Sequence, residues 1–203
     1  LGLCLCAACA TSGRTLSPRA LDKGQYEAAA EGSLLVVDRG VGAQPLPWLQ
    51  LELRRGFGEG FEGGVRLDPG SLGLDLKKEF VRRDGWSAAW IAGPRITFAA
   101  VTNRDIALIH YGLEAGLLAG YRGEVWELHA GLHSQSELRQ GAGKFRFVEV
   151  AALSLGLGLR AGPVWLTPNA HAALPFDVGR ESVGPPALRF GLRLHAASAG
   201  GFW

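Results

Sequence analysis

Alternation with a period of two runs through most of this chain, and it constrains the fold more than any other feature. Successive side chains of a strand point to opposite faces. A segment with apolar residues at every second position therefore has one apolar and one polar side. About ten such segments follow one another between Gly24 and His195, the pattern of consecutive antiparallel strands. Leu49, Leu51 and Leu53 alternate with Gln50, Glu52 and Arg54. Phe61, Val65 and Leu67 oppose Glu62, Arg66 and Asp68, and Leu72, Leu74 and Leu76 oppose Asp75 and Lys77. Trp90, Ile96 and Phe98 share a side opposite Arg95. The longest run places Ile109, Tyr111, Leu113, Ala115, Leu117, Ala119 and Tyr121 on one face, with His110, Gly112, Glu114, Gly116, Gly120 and Arg122 on the other.

The rest of the chain continues the pattern. Trp126, Leu128 and Leu132 oppose Glu127, His129 and His133; Leu153, Leu155, Leu157 and Leu159 oppose Ser154, Gly156 and Gly158. Leu188, Phe190, Leu192 and Leu194 oppose Arg189, Gly191, Arg193 and His195. A strand over 164–176 is interrupted by Pro168 and Pro175, and the first, over 25–37, is weakly patterned. Glu149 falls on the outward parity and Trp165 on the inward one, which calls for a bulge or for positions beyond the bilayer. A period of 3.6 is absent, and 30 glycines are too many for long helices.

The connections add a second signal. With an even strand count both termini lie on one side, and every second connection is a tight turn. Short turns are expected at 56–60, 82–85, 121–124 and 160–163, on the periplasmic side. External loops are expected at 38–47, 68–71, 101–105, 134–144 and 177–186. This rhythm favours ten strands; merging the first, or the third with the fourth, would give eight or nine. The expected fold class is all-β: an antiparallel up-and-down (meander) β-barrel, membrane-embedded. Strands of about 9 to 11 tilted residues suffice to cross a bilayer.

Composition removes other classes. A net charge of +2 supplies no basic field for nucleic acid. No apolar window approaches the roughly 18 residues of a membrane-spanning helix. Residues 1–10, LGLCLCAACA, read as the apolar core and cleavage region of a secretory signal. The chain has no methionine, so its start, with part of that leader, is expected to be missing. All three cysteines, Cys4, Cys6 and Cys9, lie in this stretch, which leaves no disulfide for the folded part. A metal site there is disfavoured, because Cys-x-Cys-x-x-Cys has no histidine or second pair beside it. Residues 11–23, TSGRTLSPRALDK, read as a polar periplasmic tether. The expected organisation is a signal remnant and tether over 1–23 and a barrel over 24–203.

Two resemblances follow. Cys6-Ala7-Ala8-Cys9 resembles a bacterial lipobox, with Cys6 where leucine is usual. That resemblance implies lipidation at Cys9, and Ala10 in place of aspartate implies sorting to the outer membrane. The alternative is an ordinary signal peptide with incidental cysteines. The segment TLSPRALDKGQYEAAAEGSL, and the hairpin WLQLELRRGFG followed by Gly63-Gly64-Val65-Arg66-Leu67, are similar to small bacterial outer membrane β-barrel proteins, especially barrel lipoproteins of Gram-negative bacteria. This resemblance implies outer membrane lipid and the barrel-assembly machinery as partners. Such barrels often end on an aromatic residue; here Phe202 and Trp203 close the chain, separated from the alternation by residues 196–201.

The inward parity collects Glu52, Arg54, Arg66, Asp75, Lys77, His110, Glu114, Arg122, Glu127, His129, Arg189 and Arg193 as lumen-lining candidates. They suit a charge network plugging a narrow barrel, or a thin channel. The structural, adhesive or narrow-channel role expected from this involves no enzyme activity, cofactor or metal. Two alternatives stand beside it. One is a soluble periplasmic lipocalin-like ligand-binding barrel, with the apolar parity inside. The other is a lipid hydrolase using His133, Ser134 and Ser136, although neighbouring strand positions face opposite ways. His129 and His133 would stand about 13 Å apart along one face, too far to share a metal. No phosphate loop, dinucleotide fingerprint or nucleophile elbow is present.

Overall fold

Strands whose two faces differ this sharply must separate them, and closing the sheet on itself does so. The computed structural model describes residues 14–38, 43–101, 106–141, 144–178, 182–183 and 186–198. The wall is built from β1 (Tyr26–Asp38), β2 (Ala43–Gly58), β3 (Phe61–Asp68), β4 (Ser71–Arg83), β5 (Trp86–Val101), β6 (Ile106–Arg122), β7 (Trp126–Gly141), β8 (Lys144–Ala161), β9 (Val164–Asp177) and β11 (Ala187–Ser198). The two-residue β10 (Ser182–Val183) pairs only with the end of β9. Each wall strand is antiparallel to its chain neighbours, and β11 closes on β1 over Tyr26↔Ser198 to Val37↔Ala187. The result is a closed ten-stranded meander barrel without a sheet edge.

Turn chemistry sets the register at the periplasmic end. Glu59–Gly60 and Asp84–Gly85 each place two consecutive residues at positive φ (53° and 78°, 49° and 83°), as a two-residue hairpin turn requires. Gly162 (φ 65°) turns β8 into β9.

The direction of the two faces is unambiguous. Leu49, Leu51, Leu53, Leu113, Leu117, Leu153, Leu155, Leu157 and Leu159 are all exposed on the outside, while Glu52, Arg54, Arg66 and Glu114 are buried inside. A continuous leucine surface of this extent is unfavourable in water and suited to hydrocarbon. This overturns the soluble lipocalin-like alternative, which needs the opposite orientation. Trp86, Tyr121 and Trp126 pack together at the periplasmic end, with ring centroids 5.4 and 5.0 Å apart. Phe98, Tyr111 and Phe147 are exposed towards the other end. These positions form the aromatic girdles of a membrane barrel.

Three local expectations change. Residues 134–141, expected in a loop, extend β7 to Gly141, paired with β8 as far as Gly141↔Lys144. Pro168 and Pro175 do not interrupt β9, because both tolerate extended backbone and pair with Leu192 and Val150. Glu149 needs no bulge, since β7 and β8 stay in register; it lies half-buried on the outer face, accepting hydrogen bonds from Ser134 and, at 2.6 Å, Ser136. Trp165 faces inward at the periplasmic rim, stacked on His195 with the Arg122 guanidinium 5.0 Å from its centroid. Phe202 and Trp203 lie outside the described residues.

Leu155→Arg, on the lipid face of β8, should destabilise the barrel in lipid vesicles by about 2–4 kcal/mol, read from equilibrium unfolding in urea.

Candidate functional site: a filled lumen

The interior is built by the same two-residue period, which delivers a charged side chain at each inward step. Glu52 and Arg54 come from β2, Glu62 and Arg66 from β3, and Asp75 and Lys77 from β4. They meet Glu114 of β6 across the lumen. The Arg54 guanidinium spans three carboxylates: Nη1 donates to Glu52 at 2.5 Å, Nη2 to Asp75 at 2.7 Å, and Nε to Glu62. Arg66 donates to Glu114 at 2.6 Å, and Lys77 lies 2.8 Å from Glu62. Arg193 bridges Glu52 (2.7 Å) and Glu27 (3.1 Å). Charges removed from water are stable only when each finds a partner, and here the pairing is dense.

The outer candidates sit in smaller groups. Arg95 lies 3.0 Å from Asp68 and donates to Gln135 at 3.0 Å. Arg189 lies 3.4 Å from Glu31 and 3.1 Å from His171. Towards the periplasmic end Arg122, which is half-buried, donates to Glu127 at 2.7 Å, and His195 stands 3.3 Å from both Glu127 and Glu27. His129 is buried 3.8 Å from Glu127, and His110 is buried on β6. All twelve lumen candidates thus lie on the inner side. Cys9 lies outside the described residues.

The hydrolase constellation does not assemble. His133 points into the lumen, 3.1 Å from Ser154, whereas Ser134 and Ser136 hydrogen-bond Glu149 on the outer face. The wall stands between the base and both candidate nucleophiles. Among the described residues no group of three or more His, Cys, Asp or Glu could hold a metal ion.

The largest departure from the sequence reading concerns the tether. From Arg14 onward it is not a free linker but runs down the inside of the barrel. Arg14 is 1% exposed; its Nη1 donates to Asp75 at 2.5 Å and its Nε lies 2.9 Å from Glu114. Thr15 Oγ1 and His171 Nε2 are 2.9 Å apart. Leu16 fills an inward apolar nest of Ala89, Ile91 and Leu118. Lys77 Nζ donates to the carbonyls of Ser17 (2.9 Å) and Arg19 (3.1 Å). The Ala20 and Leu21 amides donate to Glu79 (3.1 Å) and Glu62 (2.8 Å), and Arg82 donates to the Ala20 carbonyl at 3.0 Å. The chain then turns at Gly24 (φ 81°) and enters β1, exchanging backbone hydrogen bonds with Gly56 of β2. Gly56 is required by this approach: a methyl group there would lie 2.7 Å from the Leu21 carbonyl oxygen and nearer still to that of Asp22.

The physical reason is that polar composition does not decide whether a segment is solvated. A lumen lined by carboxylates and apolar clusters, one of them formed by Ala89, Ile91 and Leu118, offers residues 14–21 better partners than water does. The overlooked signal is Leu118, a large apolar residue among the His, Gly, Glu and Arg that hold the inward parity from His110 to Arg122.

No protein-family model matches the chain, and no curated protein does. Solved structures do match. The chain is similar to an outer membrane channel from Pseudomonas putida F1, with a TM-score of 0.59 at 10% identity, over 92% of this chain and 100% of that one. Weaker matches include Neisserial surface protein A, with a TM-score of 0.41 at 11% identity over 86% and 99% of the two chains. The Escherichia coli outer membrane protease OmpT gives 0.40 at 9% over 92% and 98%. At such identities the likeness is one of fold: this chain has the fold of an outer membrane β-barrel.

Arg54→Met, which takes one cation from each of three buried carboxylates, should lower stability by about 3–5 kcal/mol in denaturant unfolding. Arg83→Ala, whose pair with Asp84 is exposed at the rim, should leave the midpoint unchanged.

Proposed function

We propose that this protein is a narrow outer membrane channel held shut by its own residues 14–21. One observation carries the reading: the side chains at the centre of the lumen are almost inaccessible to water. Arg14, Arg54, Arg66 and Glu62 are each only 1–2% exposed. Side chains lining an open channel would be wetted. What fills the space is not the wall alone but a segment of backbone that leads into β1. It is held by single ion pairs, hydrogen bonds and one leucine rather than by the continuous ladder that holds the strands.

The same reading places the barrel in the outer membrane, with its lipid and the barrel-assembly machinery as partners, and assigns it no catalytic step. The likeness to a channel of the same fold supports the assignment without deciding it. Lipid attachment at Cys9, five residues before Arg14, is part of the proposal. Metabolic labelling with palmitate should mark the protein in cells and be lost in Cys9→Ala; unlabelled native protein would remove lipidation from the reading.

The channel itself is tested in planar bilayers. The native chain should be nearly silent. Arg14→Gln combined with Leu16→Asn breaks the ion pairs and puts an amide in the apolar nest, and it should give sustained conductance. If that variant folds, as shown by a mobility shift on boiling, and stays silent, the barrel has a structural role and the channel reading fails.

A further inference from the structure

We infer that the path vacated by residues 14–21 passes cations, with Arg14 occupying the position where a permeating cation is held. This deepens the channel reading and rests on it. Charge at the centre of the lumen is shared between the wall and the segment. The carboxylates Glu52, Glu62, Asp75 and Glu114 face Arg54, Arg66 and Lys77 of the wall, with Arg193 shared between Glu52 and Glu27. Elsewhere Glu31 pairs with Arg189, Asp68 with Arg95 and Glu127 with Arg122, and Glu27 has His195 at 3.3 Å beside Arg193. A further central cation is Arg14, which the segment supplies, and without it Asp75 and Glu114 each lose a cation.

The second observation is that this site is seen occupied by a cation. A guanidinium lies between Asp75 of β4 at 2.5 Å and Glu114 of β6 at 2.9 Å, two strands apart on the inner wall. These carboxylates therefore converge on a common point instead of being spent wholly on Arg54 and Arg66.

The third is the continuation of the path towards the periplasm. Glu62 and Glu79 hold the amides of Leu21 and Ala20, so withdrawal of the segment frees acceptors along its length. Lys77 and Arg82 lose carbonyl partners at the same time, but each keeps a carboxylate, Glu62 and Glu79 respectively. Rings and rows of carboxylates favour cations over anions in narrow pores, and the low dielectric of the surrounding wall strengthens that preference.

The test is the reversal potential of the opened channel. The Arg14→Gln/Leu16→Asn variant is placed in a planar bilayer under a KCl gradient. The inference expects a potential of the sign that potassium selectivity gives, slowing of the potassium current by added guanidinium chloride, and loss of most of that selectivity when Asp75→Asn and Glu114→Gln are added. A conducting variant with no cation preference, or with an anion preference, overturns the inference and leaves the plug intact as a reading. A folded variant that never conducts overturns both. Should the double variant not fold, Gly56→Ala takes its place, since the added methyl crowds the Leu21 and Asp22 carbonyls and displaces the segment from its other end.

Discussion

A barrel facing hydrocarbon has to satisfy its polar groups inward, and every other feature of this protein depends on that constraint. The leucine face tolerates little charge, so most charge on the membrane-spanning strands is delivered to the lumen, and Glu149 on the outer face is held by Ser134 and Ser136. Such charges are tolerated only as a mutually paired set. Arg54 shows how tightly the requirement is met, with one guanidinium shared among Glu52, Glu62 and Asp75. The cost of the arrangement is specificity of position: Arg54 has Glu52 two residues away and Glu62 on the next strand, while Arg66 reaches Glu114 three strands on. A single register shift would disperse the whole set and would also turn leucines inward.

The same constraint explains why so much of the architecture could be read from the sequence. Period-two alternation reports which face of a strand meets lipid, and in a closed barrel that is also which face meets the lumen. The Leu153–Leu159 run and the Tyr111–Tyr121 face are therefore nearly sufficient for β8 and β6. Turns were legible where backbone conformation demands particular residues, as at Asp84–Gly85. The extension of β7 through Ser134 and Ser136 was not, because hydroxyls on an outward face look like a loop until Glu149 is seen to accept from both.

The interior was legible as a list and not as an arrangement. Parity finds Glu114 and Arg66 but cannot tell that they meet across the lumen, since contacts between strands far apart in the chain depend on curvature. The weak alternation of β1 hid Glu27 and Glu31, each of which pairs with an arginine of β11. Arg14 could not be found by strand reasoning at all, because it belongs to no strand. The inward apolar positions Ala89, Ile91 and Leu118 were the available hint: in a lumen of charges, an apolar nest implies an apolar guest.

The short connection at Gly24 has a kinetic meaning. Residues 14–21 are covalently joined to β1 through only a few residues, so in the proposed channel their departure and return would be steps within one molecule. A connection this short holds the segment at an effective concentration in the millimolar range or above. A separate peptide making the same contacts would be lost on dilution, whereas this one is always beside its site. The balance between occupied and vacated lumen is then a ratio of two first-order rates, the same for a single copy in a membrane as for a crowded one.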